Sequence, residues 1–110
     1  MVQELTADNF QREVIDSPAP VLVDFWSPNC APCRRIAPVL DELAAEAGGR
    51  FRVGKVNAWE EQDLAVRYRI SAVPTLLVFQ GGAVVNTVVG YQEKRKLQEA
   101  LKPALNGVVA

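Results

Sequence analysis

The chain has 110 residues, 49% of them hydrophobic, which is enough for one domain with its own core, and no interior stretch reads as a linker; a single domain over residues 1–110 is expected. Twelve Lys and Arg stand against 13 Asp and Glu for a net charge of −1, without a basic block of the kind that grips nucleic acid and without an acidic tail. No run is long and apolar enough to span a membrane, and Met1-Val2-Gln3-Glu4-Leu5-Thr6 has neither a basic n-region nor an apolar h-region, so the expected location is the cytoplasm.

Thr6 is placed to cap a first helix over residues 7–16, with Phe10, Val14 and Ile15 on one side. Ser17-Pro18-Ala19-Pro20 stops it, since neither proline continues a helical ladder. Residues 21–26, Val-Leu-Val-Asp-Phe-Trp, do not alternate and read as a strand buried on both faces. The next helix is expected from Ala31 to Ala47, with a stripe of Cys33, Ile36, Ala37, Leu40, Leu43, Ala44 and Ala47. Pro32 is tolerable in its first turn, Pro38 is expected to kink it, and Gly48-Gly49 ends it.

Phe51 to Val56 reads as a second strand, and Glu60 to Arg69 as a short helix facing inward through Leu64, Ala65 and Tyr68. Strands over Thr75–Phe79 and Ala83–Val89 flank Gln80-Gly81-Gly82, a short hairpin connection. Glu93 to Asn106 closes the chain as an amphipathic helix in which Pro103 either introduces a kink or forces an early end. A fifth short strand before Thr6 is compatible with the pattern. Strands alternating with helices and then a terminal hairpin predict an α/β fold, a central mixed β-sheet sandwiched by helices.

The chemistry lies at Cys30-Ala31-Pro32-Cys33, which holds both cysteines of the chain where a strand turns into a helix. Such a pair is suited to making and breaking one disulfide. As a staple it is poorly placed, because so short a loop returns about 2 kcal/mol in the chain-entropy picture, against about 3 for fifteen residues. A structural zinc site wants four ligands, and with no histidine only a dimer sharing four cysteines, or carboxylates filling in, could complete one; no metal is expected. Two cysteines without a leader fit a reducing compartment and a transient disulfide.

Cys30 precedes the first helical turn, where free N–H groups and the helix dipole stabilise a thiolate, so it is the expected nucleophile. Cys33, one turn on and at the start of the apolar stripe, is expected to be more buried, less ionised and the resolving thiol. Asp24 is the one charge in its strand. Buried, it would have a raised pKa and could accept the proton Cys33 must lose; two other readings are an edge position facing solvent and a structural ion pair with Lys55, the sole charge within the second strand apart from Arg52 at its start. Val73-Pro74-Thr75 marks a strand start, or a deliberate cis bond. Trp26 could shield the thiols, Arg34-Arg35 read as a solvated helix face, and Trp59 and Tyr91 read as packing or surface residues.

Asp24-Phe25-Trp26, the cysteine pair, Ile36-Ala37-Pro38, Lys55-Val56-Asn57, Val73-Pro74-Thr75-Leu76 and Gly90 occur in the order seen in thioredoxins, and the chain resembles that family along nearly its whole length. The resemblance implies the thioredoxin fold, a cis Pro74 packed beside the thiols, Asp24 as the buried acid behind Cys33 with Lys55 as its partner, and a substrate groove lined by Trp26, Ala31, Pro32, Val73, Pro74 and Gly90. It further implies a monomeric protein-disulfide reductase that needs no bound cofactor, acts on disulfide-containing partner proteins, and is re-reduced by a flavin-dependent thioredoxin reductase drawing on NADPH. Two departures bear on substrate range and potential: Asn29 replaces the usual tryptophan before the nucleophile, and Ala31 replaces glycine. Ala58 and Trp59 also replace more usual residues after Asn57 and reshape the rim. A disulfide oxidase or isomerase would use the same pair at a more oxidising potential, and a binding or chaperone module would keep its activity without the cysteines.

Overall fold

The computed structural model describes residues 1–107, with side chains described to residue 105. Among these, five strands form one mixed sheet in the order β1-β3-β2-β4-β5: β1 (Val2–Leu5), β2 (Val21–Trp26), β3 (Arg52–Asn57), β4 (Thr75–Gln80) and β5 (Ala83–Val89). β1, β3 and β2 run parallel, and β4 and β5 antiparallel to their neighbours. Helices α1 (Ala31–Glu46) and α3 (Lys94–Gly107) build a core with Leu22, Val53, Leu76 and Val78 of the sheet. A wide helical turn (Gln11–Ile15) and α2 (Gln62–Arg67) contribute to a second core, with Val21, Val23, Phe25 and Phe79.

The apolar run Val21–Phe25 is buried throughout because β2 sits in the middle of the sheet and both its faces are covered. Gly54 owes its place to a close approach that sequence does not show: a Cβ there would meet Leu5 Cδ1 at 2.5 Å, so β1 could not pack as it does against a larger residue. At the β4–β5 connection Gly81 and Gly82 both have positive φ, 61° and 82°, as the two-residue turn between Gln80 and Ala83 requires.

The elements lie within a few residues of expectation, and the differences are physical. The first helix is a wide turn in which the Asp16 N–H reaches back to the Gln11 carbonyl at 2.9 Å. Thr6 supplies the first carbonyl, but its own N–H is held by Asn9 Oδ1 at 2.8 Å, so the cap is made by Asn9. Both α1 and α3 continue through their prolines, and α3 neither breaks nor ends at Pro103. Burial of Leu97, Ala100, Leu101 and Ala104 against the sheet offsets the missing ladder bond there. Of the α1 stripe, Ala37 is exposed, because it faces a cavity beside the cysteines instead of the sheet.

Candidate active site

Strand order alone brings the site together. The register pairs Asp24 with Lys55 across β2 and β3, and Phe25 with Thr75 across β2 and β4. The C-terminal ends of β2 and β3 therefore meet the N-terminal end of β4, and Pro74 arrives beside the loop that leads from Trp26 to α1. The Val73–Pro74 bond is cis. Thr75 Oγ1 donates to the Ala72 carbonyl at 2.6 Å and fixes the chain on either side of that bond.

Cys30 and Cys33 form a disulfide. Cys30 is the N-cap of α1, in extended conformation, and its sulfur accepts the Cys33 N–H at 3.1 Å. With the sulfur reduced, that N–H and the N-terminal end of a 16-residue helix stand where they would stabilise the negative charge of a thiolate. Cys30 Sγ also lies 3.6 Å from the Val73 carbonyl oxygen. The expected burial contrast is absent: Cys30 is 7% exposed and Cys33 5%. In this disulfide-bonded state the two residues differ by what they face and not by how much they are covered. Cys30 faces the Val73 backbone, and Cys33 borders a cavity of about 200 Å³.

Asp24 lines the same cavity, together with Trp26, Lys55, Ala37 and Asp41. It is 3% exposed on the central strand, which excludes the solvent-edge reading. Burial raises its pKa from the ordinary 3.8 to about 7, and the positive charge of Lys55 opposes the rise. No ion pair within 4 Å joins Lys55 and Asp24 among the described residues; the Lys55 ammonium instead lies 5.6 Å from the centre of the Trp26 ring. Asp24 Oδ1 and Trp26 Nε1 are both buried without a hydrogen-bond partner among the described residues. The cavity lining is mostly apolar, but the two residues that carry these unpaired atoms border it together with Cys33, Lys55 and Asp41, and a water there would find polar partners to bond and to relay a proton.

The groove residues gather around the disulfide. Ala31 is exposed, Trp26, Pro32, Val73 and Gly90 are half-buried, and Pro74 is buried, with its carbonyl accepting the Gly90 N–H at 2.8 Å. Asn29 is exposed next to Cys30, and Trp59, on the turn after β3, is 71% exposed. Arg34 and Arg35 are both exposed, and Arg35 stacks on the half-exposed Tyr91 ring with its guanidinium 4.9 Å from the ring centre. Sequence reasoning missed Asp41 and the cavity face of Ala37. Ala37 and Asp41 follow Cys33 by four and eight residues, the spacing that places them on the same side of α1. No cluster of three or more metal-ligating side chains occurs among the described residues.

Comparison with known proteins yields a consistent set. The thioredoxin family model matches residues 1–103. The chain is 46% identical to Thioredoxin 1 of Nostoc sp. over 102 residues, covering 93% of this chain and 95% of that one. It is 48% identical to Thioredoxin C-2 of Corynebacterium nephridii over 92 residues, 84% and 85% of the two chains. The chloroplastic M-type thioredoxin of Chlamydomonas reinhardtii is 41% identical over 99 residues, 90% of this chain and 71% of that one.

Proposed function

This chain belongs to the thioredoxin family and reduces protein disulfides by dithiol–disulfide exchange, and from that premise we propose how its residues divide the work. The Cys30 thiolate attacks one sulfur of a partner's disulfide; a mixed disulfide forms and the partner's other sulfur leaves as a thiolate. Cys33 then loses its proton and attacks Cys30, forming the Cys30–Cys33 disulfide and releasing the second partner sulfur as a thiolate. Two electrons pass to the partner, whose two thiolates take up two protons.

Asp24 accepts the Cys33 proton through water in the shared cavity, and Lys55 tunes that carboxyl through space. A pKa of about 7 is suited to the role, since the group can take and return a proton near neutral pH. Trp26, Ala31, Pro32, Val73, Pro74 and Gly90 form the surface on which an extended partner segment lies against the Val73 backbone. The chain works as a cytoplasmic monomer and is re-reduced by a thioredoxin reductase. Among the described residues no helix is long and apolar enough to cross a membrane.

The observation that carries this reading is the Cys33 N–H directed at Cys30 Sγ at the head of α1, with Asp24 in the cavity behind Cys33. Equilibrating the pair in dithiothreitol buffers tests it. A potential close to the reference value for thioredoxin, about −270 mV, is expected. A value between about −180 and −120 mV, the range of disulfide isomerases and oxidases, makes the chain a donor of disulfides instead.

A further inference from the structure

Trp59 has no evident task inside the fold. It is 71% exposed, and among the described residues its indole has neither an aromatic nor a cationic stacking partner. Its backbone, in contrast, is tightly held. Asn57 Oδ1 accepts the Trp59 N–H at 3.0 Å and the Glu60 N–H at 3.3 Å, and Gln62 Nε2 donates to the Trp59 carbonyl at 3.2 Å. The Ala58 N–H donates to the Trp26 carbonyl at 2.8 Å, which ties this turn to the end of β2. A large apolar ring is thus presented to solvent from a fixed support. That support is anchored to the strand that leads into the dithiol loop.

Across from the ring lie Ser27, Pro28 and Asn29, and the four residues line a cleft of about 400 Å³. This is at the small end of the range for ligand pockets, roughly 300–1,000 Å³, and suits a side chain or two better than a whole cofactor. Asn29, one of the lining residues, directly precedes Cys30 in the chain, which places the cleft one residue from the nucleophilic position. A polypeptide whose disulfide reaches Cys30 has room to lay one flanking residue over this rim while its backbone lies against Val73. Two of the four lining groups, the indole and the Pro28 ring, are apolar and conformationally restricted, so they lose little freedom on contact. Asn29 adds an exposed amide able to bond a passing backbone.

We propose that Trp59 and Pro28 form a clamp for an apolar side chain flanking the attacked cysteine of a substrate protein, so that Trp59 is a specificity-determining residue of this reductase. The proposal rests on the reductase reading above and deepens it: preferred substrates carry an aliphatic or aromatic residue beside the cysteine that Cys30 attacks.

The test uses the pre-reduced chain and two disulfide-bridged peptides, identical except for leucine or serine beside the attacked cysteine. Second-order rate constants come from acid-quenched time courses separated by chromatography. The wild type is expected to favour the leucine peptide. Trp59→Ala is expected to lower the leucine-to-serine ratio about tenfold, equivalent to about 1.4 kcal/mol, while Trp59→Phe retains most of the preference. An unchanged ratio in Trp59→Ala, no preference in the wild type, or complete loss of preference in Trp59→Phe overturns the proposal. Wild-type reduction of 2-hydroxyethyl disulfide, followed in parallel, reports the reductase reading separately. Its absence overturns that reading and the proposal with it, whereas its presence with a failed ratio overturns the clamp alone.

Discussion

Val21–Val23 and Asp24–Trp26 are consecutive halves of one strand, equally central in the sheet, yet they are built to opposite rules. In the first half every side chain is apolar and sits within a closed core: Leu22 and Val23 have no exposed surface, and Leu22 packs with Ile36, Leu40 and Leu97. In the second half a carboxyl and an indole N–H are buried without partners, next to a cavity. The first half contributes stability; the second gives some of it up. Leaving a buried polar atom unpaired costs about 1–3 kcal/mol, and burying a charge costs more. The expense is concentrated beside the cavity that Cys33 also borders.

Removing one of the paired sulfurs tests the catalytic end of that contrast most severely. Cys33→Ser is expected to abolish turnover and leave Cys30 joined to substrate, with the mixed disulfide detectable by mass spectrometry under non-reducing conditions. Accumulation of the adduct on Cys30→Ser instead, through Cys33, would reverse the assigned roles.

Asp24→Asn is the next largest change, and its sign depends on pH. Below pH 3.8 the carboxyl is protonated in the folded and unfolded chains alike, and burial costs no charge. As pH rises through the window from 3.8 to about 7, the unfolded chain ionises first, so stability falls. Above that window both states are charged and the whole penalty is present, about 4 kcal/mol for a climb of this size. In the oxidised protein, Asp24→Asn is therefore expected to stabilise by a few kcal/mol at pH 8 and by little at pH 4, measured by urea unfolding, while turnover falls. Equal effects at both pH values would remove buried charge as the cause.

Leu22→Ala probes the other half of the strand. It is expected to destabilise by about 3 kcal/mol, from lost transfer energy and the cavity left behind, at pH 4 and pH 8 alike. Chemical denaturation at the two pH values separates it from the carboxyl effect, and the reduction potential should not move.

Much of this architecture was legible in the residues themselves. The β2 and α1 boundaries followed from an unbroken apolar run and from 3.6-residue spacing, and Gly81-Gly82 followed from turn chemistry, because each is a short-range property. Asp24 stood out since a charge inside an apolar strand is rarely accidental. The relation of Asp24 to Lys55 was only half visible. Strand register set them side by side, but the cation settled over the Trp26 ring and left Oδ1 unpaired. Near-equal burial of the two cysteines was not readable either, because Cys30 lies against the backbone of Val73, which a distant part of the chain supplies.

The order of elements, a cysteine at a helix start, the odd carboxylate in a core strand and the family itself were thus written in the sequence, since local periodicity, caps and motif spacing are set by neighbouring residues. Tertiary structure alone decided the cavity joining Asp24 to Cys33, the contact that makes Gly54 necessary and the meeting of Trp59 with Pro28 and Asn29. These depend on β2, β3 and β4 lying side by side, and that pairing is settled by burying both faces of the sheet at once, a condition that no single stretch of chain contains.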